Sequence, residues 1–155
     1  MEAIAAPLAR SVAAGQGKTV QVIGDRVTFK ALAAETGGAY SLFETVTAPA
    51  GGTPPHFQRY EEESFYILEG SYAFQVGNET LELGPGGYAF VPRGTVHAFT
   101  NSGTEPARML ILVTPGGIHE NFFAEMGELT GPPDVGTIIA IAAKYGIEIL
   151  PPPAG

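Results

Sequence analysis

The sequence predicts an all-β barrel finished by C-terminal helices, and three observations predict it. Gly and Pro number 21 and 13 in 155 residues, far too many for a helical bundle and lacking the period of collagen. Short runs rich in aromatic and β-branched residues recur roughly 8–12 residues apart with turn formers between them. Beyond Pro115 the apolar spacing changes from strand-like to helical. The size suits one domain with one core, since a chain of this length buries roughly 68–70% of its unfolded surface. Hydrophobic residues at 45%, charged residues at 15% and a mean hydropathy of +0.12 exclude a wholly disordered chain.

Taken in order, residues 1–17 form an Ala-rich arm without chemistry, and residues 18–155 a single domain. Lys18 to Ile23 alternates with period two, Gly24-Asp25 signals a hairpin, and Arg26 to Leu32 resumes the strand pattern. Glu35-Thr36-Gly37-Gly38 breaks the chain before a strand over Tyr40 to Ala48. Further strands are predicted over His56–Arg59, Glu62–Glu69, Ser71–Val76, Glu79–Leu83, Tyr88–Val91, Val96–Asn101 and Ala107–Val113, run as a meander that closes on itself. Ile118, Phe122, Phe123 and Met126 mark one helix, and Val135 to Tyr145 a second that stops at Gly146. Ile147 to Leu150 reads as an edge strand or a contact with a second copy.

Sixteen acidic against eight basic residues give a formal charge of −8 and a pI near 4.7. Such a surface repels phosphate backbones and anionic lipid, so neither nucleic acid nor membrane is expected as a partner. With no Cys, thiolate nucleophiles, disulfides and cysteine zinc sites are excluded. The first seventeen residues lack a basic n-region followed by an apolar run, and a cytoplasmic protein is expected.

Only three His are present, at 56, 97 and 119, so acid–base or metal chemistry near neutral pH draws on them or on carboxylates. His56 and Gln58 are two apart on a predicted strand and share a face, Glu63 begins the next strand, and His97 follows a Pro-x-Gly turn. Inward positions of different strands converge in a closed barrel. Two imidazoles and a carboxylate meeting there make the facial triad that non-haem iron and similar ions use. His119 is assigned a surface or cap position. Glu61 and Glu62 are read as a solvated acidic corner, and Phe43, Phe65, Phe74, Phe90 and Phe99 as core.

These residues resemble a known family. Thr53 to Gly70 is similar to the first cupin motif, G-x5-H-x-H-x(3,4)-E-x6-G, with His56, Gln58, Glu63 and Gly70 on its fixed positions after the first. Gly86 to Asn101 fits the second motif, G-x5-P-x-G-x2-H-x3-N, at Gly86, Pro92, Gly94, His97 and Asn101. The chain most resembles the small single-domain quercetin-dioxygenase-like cupins. The resemblance implies a double-stranded β-helix, a jelly-roll barrel, and a divalent metal (Fe, Mn, Ni, Co, Zn or Cu) held by His56, Gln58, Glu63 and His97.

Two departures stand out. Ala50 occupies the leading Gly of the first motif, with Gly51 and Gly52 beside it to make the same turn. Gln58 replaces the second His, and an amide oxygen is a harder, neutral donor that shifts preference from zinc and copper toward iron(II) or manganese(II). The activity that the resemblance implies is dioxygenation of an aromatic or enol small-molecule substrate, with Glu63 as base and dioxygen as co-substrate. Metal-dependent isomerisation, cyclisation or dehydration of a carbonyl compound is the alternative, and ligand binding without turnover a third. Barrels of this type expose edges, and a homodimer is expected to cover them.

Overall fold

The computed structural model describes residues 6–151. Eleven strands and three helices are ordered β1 Lys18–Val22, β2 Asp25–Ala31, α1 Ala33–Thr36, β3 Ser41–Thr47, β4 His56–Gln58, β5 Glu62–Glu69, β6 Tyr72–Val76, β7 Glu79–Leu83, β8 Tyr88–Val91, β9 His97–Asn101, β10 Ala107–Thr114, α2 Ile118–Gly127, α3 Val135–Lys144 and β11 Ile147–Ile149. They build two antiparallel sheets, ordered β1-β2-β3-β10-β5-β8 and β11-β4-β9-β6-β7, which face each other as a double-stranded β-helix. No described helix is long and apolar enough to cross a membrane.

The strands are not joined as a meander. Only β1-β2, β2-β3 and β6-β7 pair in sequence; β10 lies between β3 and β5, and β9 between β4 and β6. Turn signals locate strand ends without saying which strand returns beside which, so the crossovers carry no local trace. The Glu35 region also differs from a plain break. Glu35 accepts a hydrogen bond from Leu32 N at 2.8 Å, capping one helical turn that Gly37 ends in the left-handed conformation, φ 67°. Residues 6–17 contain only turns and irregular backbone, and residues 1–5 and 152–155 lie outside the described range.

Alternation sorts the core. In β3, Ser41, Phe43, Thr45 and Thr47 point inward, and in β10 Ala107, Met109, Ile111 and Val113 do the same, all buried. Phe65 and Phe74 meet at 5.1 Å, Phe65 and Phe99 at 6.1 Å, at the tilted angles aromatic rings prefer. Phe90 is not part of this core. It alternates with buried Ala89 and Val91 on β8 and stands 48% exposed. Gly70 turns the chain with φ 80°, and a Cβ there would come within 2.8 Å of the Ala107 Cβ, so this position of the first motif admits no side chain.

β11 is the edge strand expected at Ile147, paired with β4 in the register Ile147↔Gln58 and Ile149↔His56. It follows α3, which packs on β11 and on α2, while α2 also packs on β1. The arrangement places the first residue of β4 opposite the first residue of β9.

Candidate metal and active site

His56 and His97 are direct partners across β4 and β9, with ring centroids 4.2 Å apart. Each ring is fixed in the same way. His56 Nδ1 lies 2.8 Å from the carbonyl oxygen of Pro54, and His97 Nδ1 lies 2.9 Å from that of Thr95, two residues back in both cases. A carbonyl only accepts, so each Nδ1 carries the hydrogen and each Nε2 is left facing the barrel interior. Burial and the neighbouring His97 push the His56 pKa down to about 4, which keeps that imidazole neutral at physiological pH.

Glu63 enters from the other sheet, where β5 pairs with β8 and β10. Its Oε1 lies 3.6 Å from His97 Nε2, and its Oε2 accepts a hydrogen bond from the Gln58 amide at 3.1 Å. Burial alone would raise its pKa, but the adjacent His97 and His119 imidazoles outweigh it and hold it down at about 2. His97 Nε2 is buried and, among the described residues, has no hydrogen-bond partner. His56, Gln58, Glu63 and His97 therefore gather in one place, at the polar end of the barrel interior.

The reading of His119 as a surface or cap residue and of Glu61 as a solvated corner is corrected by the structure. Both are buried, at 7% and 1% exposure. His119 Nδ1 lies 2.9 Å from both carboxylate oxygens of Glu61, and its Nε2 lies 3.5 Å from Glu63 Oε2 and 3.4 Å from the Gln58 amide nitrogen. Burial lowers the His119 pKa, but the Glu61 carboxylate, followed by Glu63, outweighs it and raises the value to about 9. The first turn of α2 is pinned so that His119 faces inward. The neighbouring Glu120 carboxylate accepts from Ala33 N at 2.7 Å and from the Ser41 hydroxyl, and that hydroxyl accepts from Gly117 N at 3.0 Å. Signals for both residues exist in the sequence: Glu61 shares the strand parity of Glu63, and His119 sits three, four and seven residues before Phe122, Phe123 and Met126.

A cavity of about 370 Å³ opens onto this cluster. His56, Glu63 and His119 line its polar end, and Phe43, Phe99 and Ile138 belong to its apolar wall. The volume suits an organic ligand of a few rings, oriented by few polar groups. Among the described residues no three His, Cys, Asp or Glu side chains form a ready-made metal cage. The Glu63 carboxylate is instead hydrogen-bonded to Gln58, within the same cluster.

Comparison with known proteins adds the wider context. The cupin domain family matches residues 43–113. Quercetin 2,3-dioxygenase from Bacillus subtilis is 32% identical over 73 residues, 47% of this chain but only 21% of that protein, so the chain spans about a fifth of that relative's length. Among solved structures, KdgF from Halomonas superposes with a TM-score of 0.64 at 14% identity, covering 71% of this chain and 96% of that one. The polyketide cyclase RemF from Streptomyces resistomycificus superposes with a TM-score of 0.59 at 29% identity, covering 69% of this chain and 80% of that one.

Proposed function

We propose that this chain, whose residues 43–113 match the cupin domain family, is a metal-dependent enzyme that ionises an enol or phenol hydroxyl of an aromatic small molecule and passes the electron-rich product to dioxygen. One observation carries this reading. His97 Nε2 and Glu63 Oε1 face each other 3.6 Å apart in a buried site. With the hydrogen of His97 on Nδ1, both atoms can offer lone pairs, and a divalent cation between them would satisfy both out of water. The donor set fits a divalent cation: His56, Glu63 and His97 are two imidazoles and a carboxylate, with Gln58 beside them. The carbonyls of Pro54 and Thr95 orient the imidazoles as outer partners of metal-bound His do. A cation held there would polarise a substrate oxygen and raise the acidity of its hydroxyl.

The protein's own groups then divide the work. Glu63, ionised across the physiological range, accepts the hydroxyl proton and never acts as an acid at the outset. Its low proton affinity restricts it to hydroxyls that have been acidified in the site. Phe43, Phe99 and the α2 and α3 side chains bind the substrate rings and keep water from the ionised oxygen. Both atoms of dioxygen would enter the substrate, which supplies the electrons, so no separate reductant is needed. The likeness to quercetin 2,3-dioxygenase supports this outcome.

A second reading keeps the same binding and proton transfer and omits oxygen, giving cyclisation, isomerisation or dehydration. It is favoured by one feature, the buried His119–Glu61 pair beside Glu63, and by the likeness to a polyketide cyclase. Oxygen uptake with a panel of flavonols and enediols separates the readings. Oxygen consumption matched to substrate loss supports dioxygenation; substrate conversion at the same rate under argon supports the proton-only reaction and overturns the first.

A further inference from the structure

The first cupin motif here carries Gln58 where a second His would stand, and the structure places an unassigned imidazole beside that amide. We propose that His119, reaching in from α2 and oriented by Glu61, is a metal donor of this site and supplies the imidazole that position 58 does not. The inference rests on the metal-dependent reading above.

Position is the first argument. Two atoms bound to one cation at about 2.1 Å and at right angles lie about 3 Å apart. His119 Nε2 is 3.5 Å from one oxygen of Glu63, and His97 Nε2 is 3.6 Å from the other. The two imidazoles thus flank the carboxylate at nearly the same spacing, within about half an ångström of neighbouring ligand positions. The Gln58 amide, 3.4 Å from His119 Nε2, marks the same spot from β4.

Orientation is the second. Each of the three His uses Nδ1 outward and Nε2 inward: His56 against Pro54 O, His97 against Thr95 O, His119 against both oxygens of Glu61. The third is the carboxylate–histidine pairing that fixes and strengthens an imidazole donor at metal centres. A buried Glu–His pair is costly to desolvate and is not needed to pack a helix that already buries Met126 and rests Phe123 on the core. The His119 ring is also held rigidly, stacked on Phe43 at 5.8 Å and set edge-on to Phe123 at 5.2 Å.

Cobalt(II) is the probe, added alone to the metal-free full-length chain under argon. Affinity is read from the cobalt absorption bands, and donors are counted by proton NMR as strongly shifted imidazole N–H signals, which the Nδ1 hydrogen bonds protect from exchange. The expected result is three such signals in the wild type, from His56, His97 and His119. His119→Gln should keep two and lose affinity, and Glu61→Gln should lose affinity by about 10–100-fold. Adding Gln58→His to His119→Gln should return most of the lost affinity, since it restores an imidazole from the strand instead of the helix. Circular dichroism and thermal melts of the metal-free variants check folding; if His119→Gln does not fold, the signal count in the wild type decides. Two shifted signals in the wild type, or unchanged cobalt affinity in a folded His119→Gln, overturns the inference and leaves the site of His56, Glu63 and His97 standing. A wild type that takes up no cobalt overturns the metal-dependent reading itself and this inference with it.

Discussion

His97 Nε2 and Glu63 Oε1 stand 3.6 Å apart, both buried, the imidazole nitrogen without a hydrogen-bond partner among the described residues. One residue comes from β9 and the other from β5, on opposite sheets. The double-stranded β-helix is what brings them together.

Glu63→Gln removes the negative charge and the proton acceptor while keeping the shape of the side chain. Turnover should fall by about 10²–10⁴-fold, the span of a lost general base, with the melting temperature moving by only a few degrees. Parallel loss of fold and turnover, followed by circular dichroism alongside the rate, would refute a base role.

Asp25 gives the fold a pH dependence. Burial pushes its carboxyl up to about 6 from 3.8, against a hydrogen bond from Thr47 that lowers it. The native state therefore holds this proton more tightly than the unfolded chain. The stabilisation is complete below 3.8 and is lost as pH rises toward 6. Asp25→Asn cannot ionise, so it should exceed the wild type by about 1–3 kcal/mol at pH 7 and match it near pH 3.5. Urea unfolding at the two pH values measures the difference; a gap that does not change with pH contradicts the assignment.

Phe65 is fully buried and touches Phe74, Phe99 and the His97 ring. Phe65→Ala should cost about 3–5 kcal/mol of stability through the cavity it leaves. A loss below about 1 kcal/mol in denaturant titration would show that the two sheets do not pack as described.

The homodimer expected from the sequence stands as a proposal with a surface to test. β8 ends the first sheet, and Tyr88 and Phe90 on it, with Tyr66 on β5, expose their rings together. An uncovered sheet edge beside three aromatic rings is a natural site for a second copy. Sedimentation velocity should find a dimer that Phe90→Glu shifts toward monomer. A wild-type monomer at tens of micromolar, or a variant that sediments unchanged, excludes this face.

Much of this was legible in the sequence, and what was not has physical reasons. The strands, both C-terminal helices and the edge strand at Ile147 follow from alternation, helical spacing and the turns that punctuate them. The spacing of His56, Gln58, Glu63 and His97 marks residues that the fold gathers. The order in which strands pair is hidden, because β3 meets β10 only through contacts sixty or more residues apart. Phe90 misled because aromatic residues serve equally on the inner and outer faces of a strand. His119 and Glu61 were missed for a sharper reason. A lone His near a helix start and a Glu in an acidic triplet both have ordinary exposed uses, and only α2 folding back over the barrel mouth brings the two to 2.9 Å.

Elemental analysis of protein purified without chelators, with His97→Ala prepared in parallel, bears most directly on the cation proposed between His97 and Glu63. One divalent metal per wild-type chain, largely lost in a folded His97→Ala variant along with turnover, is the predicted result. Full turnover by a metal-free wild type would contradict it and leave the barrel unchanged.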